Sequence, residues 1–172
     1  MAVAASLDAP QSLVKLLQPW SHAYSDSKVL PTVVVFLHIA ALLFAGGYAV
    51  TLDRFTLRAF RSDPATRTSQ LRALAVSHRI VLSGLALSLV SGVLLFAADV
   101  ETFWTSVIWW TKAGLIVLLL LNGYGITRLE HQLRTSTGDG EVAWRGLRRT
   151  AVASIVLWFA IALAGVALVN AG

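Results

Sequence analysis

Apolar positions gather into four runs, Pro31–Leu52, Ile80–Ala98, Ser106–Ile126 and Thr150–Val169, separated by short stretches rich in polar residues. Each run comes close to the roughly 20 residues a helix needs to cross a hydrocarbon core. A segment inside lipid must satisfy its own backbone, so all four predict helices. The expected fold class is all-α, an integral membrane four-helix bundle. Ahead of the first run, Leu13, Leu16, Leu17 and Trp20 recur at helical spacing, with Lys15 and Gln18 off that stripe. They predict a short helix over Ala9–Tyr24 lying on the membrane surface, with Asp8 as its cap and Pro10 in its first turn. Pro19 is expected to kink or shorten it. The chain therefore divides into an outer-surface arm, 1–29, and a four-transmembrane-helix domain, 30–172.

Charge sets the orientation of these spans. Six arginines (Arg54, Arg58, Arg61, Arg67, Arg72, Arg79) follow the first run, with Asp53 and Asp63. Five more (Arg128, Arg134, Arg145, Arg148, Arg149) follow the third, with Glu130, Asp139 and Glu141. The middle connection holds Asp99 and Glu101 and no cation. Short Lys/Arg-rich loops stay in the cytoplasm, which places both arginine loops inside and both termini outside. The net charge of +5 thus reads as a topology determinant that also meets anionic headgroups, and no nucleic-acid partner is expected. Trp20, Trp104, Trp109 and Trp110 fall at the outer boundary and Trp144 at the inner one, while Trp158 falls mid-span and reads as packing. Met1–Ala9 lacks the basic start of a signal peptide. With no cysteine in the chain, thiolate metal sites and thiol nucleophiles are excluded.

The two halves resemble one another. Gly47-Tyr48-Ala49-Val50-Thr51 matches Gly123-Tyr124-Gly125-Ile126-Thr127, Leu57-Arg58 matches Leu133-Arg134, and Leu71-Arg72 matches Leu147-Arg148. The pattern predicts two tandem helical hairpins related by a pseudo-twofold along the membrane normal. Small residues supply close-packing faces: Gly84, Ser88 and Ser91 in the second span, Ala41, Ala45 and Ala49 in the first, Ala160, Ala164 and Ala167 in the fourth. Gly46 and Gly47 permit either a bend or a close helix contact.

Ionisable groups inside a span are costly and mark candidate sites. Two stand there, His38 and Lys112, and Ser91 is expected at the same depth. A ligand- or cofactor-binding cluster of His38, Ser91 and Lys112 near the outer side, with Asp99 and Glu101 above it, is the candidate. The same residues also admit a purely structural reading, in which His38 bonds a nearby hydroxyl or carbonyl and Lys112 snorkels toward Asp99, Glu101 or headgroups. Haem b between two histidines is disfavoured. His78 is ~8–10 residues deeper than His38, roughly 12–15 Å, and axial ligands need equal depth. A single-ligand haem or a quinone bonded by His38 remains open. Copper wants several soft or imidazole ligands, whereas His22 is the one histidine that approaches His38 and Met1 the lone methionine. No nucleophilic triad, phosphate loop or paired membrane carboxylate is present.

Pro31, His38, Gly46, Asp53-Arg54 and Leu57, followed by Ser91-Gly92, Leu94-Leu95-Phe96, Lys112 and Asn122, carry a resemblance. Over roughly Leu13 to Asn122 the chain resembles an uncharacterised family of bacterial four-helix inner-membrane proteins, and is loosely similar to the membrane domain of copper-resistance protein D. The resemblance implies four or more spans in the bacterial inner membrane, with His38 and Lys112 as marked polar positions, and it supplies no activity. The expected function is that of a non-enzymatic accessory or small-ligand-binding subunit, its partners the lipid bilayer and a larger membrane complex or further copies of itself. An electron-transfer protein holding haem b or quinone, and a small copper transporter component, are the alternatives.

Overall fold

A computed structural model describes residues 8–135 and 140–171. Met1 and Asp139, named above, lie outside the described residues. Six helices follow one another: α1 (Gln11–Asp26), α2 (Val29–Ala59), α3 (Pro64–Ala98), α4 (Val100–Thr105), α5 (Val107–Thr135) and α6 (Glu141–Ala171). Among the described residues there is no strand.

The four long helices have 31, 35, 29 and 31 residues. At 1.5 Å per residue they run about 44–52 Å, well beyond a hydrocarbon core of about 30 Å. This corrects the loops expected from hydropathy. Most of the arginines assigned to loops stand on helix ends, and Asp53 and Glu130 lie within α2 and α5. Hydropathy marks where lipid ends, whereas a helix continues as long as its backbone bonds and caps are favourable. Here Asp63 accepts from the N–H groups of Ala65 (2.9 Å) and Thr66 (3.0 Å), and Pro64 opens α3. The α2–α3 connection is thereby reduced to residues 60–63.

α2 packs along α3, α5 along α6, and α2 along α6, while α3 and α5 scarcely touch. The helices thus stand in the order α3–α2–α6–α5 around a ring left open on one side. At the α2–α3 contact a Cβ on Gly84 would lie 2.8 Å from Ala45 Cβ, and at the α2–α6 contact one on Gly46 would lie 2.9 Å from the Trp158 ring. Gly46 therefore serves a close contact, and α2 continues unbroken through Gly47. The buried line of α6 is Trp144, Leu147, Ala151, Ser154, Trp158 and Ile161. Ala160, Ala164 and Ala167, expected on that face, are only half-buried. Their bulkier neighbours fill the open ring better.

α1 begins at Gln11 with Pro10 at its N-cap and runs through Pro19 to Asp26, longer than expected at its C-terminal end. Trp20 Nε1 donates to Leu94 O (2.9 Å) and Ser21 Oγ to Ala98 O (2.8 Å). The arm therefore satisfies a carbonyl that the end of α3 would otherwise leave open. Leu16, on the apolar stripe of this surface helix, is exposed.

The surface settles the medium. Phe36, Leu43, Phe44, Val90, Leu121, Phe159 and Leu163 are all more than half exposed. In the most apolar stretch of each long helix, only 22%, 17%, 6% and 17% of residues are buried. An apolar surface this continuous belongs in lipid. The arginine-bearing ends of all four helices meet at one end of the molecule, where Arg67 pairs with Glu141 (2.9 Å) and Arg148 lies over Phe60. Trp144, expected among headgroups, is 4% exposed in a core with Leu147, Ala59 and Leu74. It carries the Arg67 guanidinium over its ring.

Candidate functional site

Of the three residues expected to form a site, two meet directly. His38 Nδ1 lies 2.9 Å from Ser88 O and 3.0 Å from Ser91 Oγ. A carbonyl only accepts, so Nδ1 carries the proton, and in the neutral ring Nε2 is left with its lone pair. Ser91 Oγ is itself committed to Leu87 O (2.7 Å). The ring edge rests where Gly92 has no side chain.

Lys112 goes elsewhere. Its Nζ lies 3.4 Å from the Cβ position of Gly165 on α6, and it makes no hydrogen bond or ion pair among the described residues. Asp99 and Glu101 do not pair with it. The Asp99 carboxylate caps α4 at Thr102 N (3.3 Å), and Glu101 is exposed.

The fuller constellation stands at the arginine end, in the open side of the ring. A half-open cavity of about 330 Å³ lies between α3 and α5, with α2 and α6 behind it. Its walls are apolar (Val81, Leu82 and Leu85 on α3, Leu119 and Leu120 on α5, Trp158 on α6), and its polar residues include Asp53, Ser77, His78, Asn122 and Ser154. Asp53 is 5% exposed, and its Oδ2 has no hydrogen-bond partner. Ser154 is its polar neighbour. Asn122 Nδ2 donates to Thr150 O (3.0 Å), which fixes the amide's orientation and leaves Oδ1 as an acceptor.

A polar clasp closes the cavity at its arginine end. His78 Nε2 donates to Glu130 Oε2 (2.8 Å), and Arg134 Nη2 reaches both Glu130 Oε1 (2.7 Å) and Leu71 O (2.6 Å). Beside it, Tyr48 OH pairs with Ser77 Oγ (3.3 Å), whose own proton goes to Ala73 O. These bonds join α3 to α5 beside the apolar cluster that holds Leu71 and Leu74 of α3 with Ile126, Leu129 and Leu133 of α5.

Sequence reasoning passed over Asp53 and Glu130 because both sit beyond the apolar windows. A signal was present nonetheless. Asp53 continues the four-residue spacing of Ala41, Ala45 and Ala49, the buried face of α2. Glu130 stands four residues before Arg134, the spacing of a helical ion pair.

The residues present do not fit a bis-histidine haem. His78 is held by Glu130, His131 is exposed, and His22 on α1 pairs with Gln18 (3.3 Å). Among the described residues no three His, Cys, Asp or Glu side chains gather in a metal-binding group. No protein-family model, no curated protein and no solved structure matches the chain. The fold itself defines the class, a multi-pass α-helical membrane protein.

Proposed function

We propose that this is a non-enzymatic, small-ligand-binding protein of the bacterial inner membrane. Its ligand is an amphiphile that enters from the lipid between α3 and α5. One observation carries the reading: a lateral cavity of about 330 Å³ with apolar walls and a buried, unpartnered carboxylate oxygen. Small-molecule sites begin at about this volume and join mostly apolar linings to a few placed polar groups. A carboxylate buried in an apolar wall is costly enough to call for a role. The cavity does not reach His38, so this reading moves the ligand from the outer cluster to the arginine end. The cytoplasmic side is the natural place for that end, given the arginines gathered there. The tandem-hairpin relation of the two halves is part of the same reading. Tyr48 and Tyr124 match in sequence, yet Tyr48 bonds Ser77 whereas Tyr124 is 60% exposed beneath Arg128. The asymmetry fits one cavity rather than two.

Photolabelling tests the proposal. An alkyl diazirine amphiphile in nanodiscs should label peptides of α3 around Val81–Leu85 and α5 around Leu119–Gly123 well above lipid-facing Val90, Phe159 and Leu163. A Cβ at Gly123 meets nothing within 4 Å, so Gly123→Leu should fill the cavity and remove that excess without unfolding the protein. Labelling spread evenly over all lipid-facing positions would contradict the proposal.

A second reading rests on His38, whose Nδ1 bond to Ser88 O leaves Nε2 oriented to accept from a quinol hydroxyl or to ligate one iron. Purified protein from haem-replete cells would then show a Soret band lost in His38→Ala, or quinone retained by the parent and not by the variant. A colourless, quinone-free preparation removes this reading.

A further inference from the structure

Among the described residues, the buried polar atom of the α3–α5 cavity that lacks a partner is an acceptor. Asp53 Oδ2 has no partner in a residue that is 5% exposed. Asn122 gives one amide N–H to Thr150 O, and its Oδ1 can accept in the cavity that the residue lines. Of the donors nearby, Ser154 is turned to the Asp53 carboxyl without reaching Oδ2, Ser77 gives its proton to Ala73 O, and His78 Nε2 gives its own to Glu130. The nearest guanidinium, that of Arg134, is held by Glu130 and Leu71 O. A buried carboxylate without a countercharge in an apolar wall is unfavourable until a donor or cation reaches it.

We infer that the cavity selects lipophilic amines. The ligand's ammonium donates to Asp53 Oδ2 and Asn122 Oδ1, and its hydrocarbon body lies along Val81, Leu85 and Leu119. This inference rests on the cavity being a ligand site and adds the chemistry of the headgroup. A bare metal cation fits less well, because the lining offers one carboxylate and its imidazole, His78, is held by Glu130. Leu82 and Leu120 expose apolar side chains at the mouth, beside Tyr124 and Thr127, which suits entry from the bilayer.

Two radiolabelled probes of equal length separate the headgroup from the tail: decylamine and decyl methyl ether, measured on nanodiscs holding the protein, with empty nanodiscs subtracted. A charge-assisted hydrogen bond to a buried acceptor corresponds to about tenfold or more in affinity. The unaltered protein should therefore bind the amine at least about tenfold more tightly than the ether, a comparison that needs no variant to fold. Asp53→Asn should erase most of that preference while leaving ether binding in place, and Gly123→Leu should abolish binding of both. Equal binding of amine and ether, both lost in Gly123→Leu, would overturn the amine assignment and leave the cavity a ligand site. Binding of neither probe, or binding indifferent to Gly123→Leu, would overturn both.

Discussion

Two glycines on neighbouring helices differ sharply in the room they leave. A methyl group on Gly84 would press to 2.8 Å from Ala45 Cβ, whereas one on Gly47 meets nothing within 4 Å. Gly84→Ala should therefore destabilise the α2–α3 contact by about 1–3 kcal/mol, and Gly47→Ala should leave stability unchanged or raise it by up to about 1 kcal/mol. Unfolding titrations in mixed micelles measure both, and an equal response would contradict the packing described. Asp63 offers a pH test outside the membrane. Hydrogen bonds from Thr66 backbone and side chain, and from the Ala65 N–H, hold its carboxyl below the usual aspartate range. Because the folded-state value is depressed, the cap's contribution is present above the ordinary value and lost as pH falls through the lower one. Amide exchange at Ala65 and Thr66, corrected for its intrinsic pH dependence, should rise only in acid. Asp63→Ala should show the raised exchange already at neutral pH. Residue identity in the sequence made the Ala41–Ala45–Ala49 and Gly84–Ser88–Ser91 faces legible, because close packing in lipid demands small side chains. Asp53 shares the first of those faces, but its charge read as the start of a loop.

Helix existence was plain from hydropathy, and helix length was not. The apolar windows report the thickness of the lipid, while caps, arginine stacking over aromatic rings and i,i+4 pairs extend the backbone beyond it. That extension brings Glu130 of α5 alongside His78 of α3. Few backbone positions of the two helices come close, and besides the Phe96–Trp109 ring contact and shared apolar clusters the bonds from Glu130 to His78 and Arg134, with Arg134 to Leu71 O, attach them. Glu130→Ala should cost on the order of 1–3 kcal/mol and loosen the arginine end of the cavity. Spin labels on Val76 of α3 and Thr135 of α5 should then report a longer, broader distance distribution. An unchanged distribution would show that packing alone holds α3 to α5. The ring's open side had no counterpart in the sequence. Which pair of apolar helices fails to meet depends on side-chain volumes across all four, such as Trp158 against Gly46.

At the scale of the molecule, every functional statement depends on lipid around the four helices and on the arginines facing one compartment. In water the exposed faces of α2, α3, α5 and α6 would associate, the cavity would fill, and Asp53 would have no apolar setting. The class of protein was the most legible feature of all, since four apolar runs and eleven arginines on alternate connections leave few other arrangements. The ligand was the least legible, because it is written in the atoms left unpaired once the helices have packed. The natural absence of cysteine allows a direct measurement. Single cysteines at Ala65 and Thr135, on the arginine end, and at Ser25 and Thr102, on the opposite end, can be probed in bacterial cells with a membrane-impermeant maleimide. The account predicts that Ser25→Cys and Thr102→Cys label in cells whose outer membrane alone is opened, whereas Ala65→Cys and Thr135→Cys label only after the inner membrane is breached. Labelling of all four alike in those cells, or mixed labelling within one end, would contradict it.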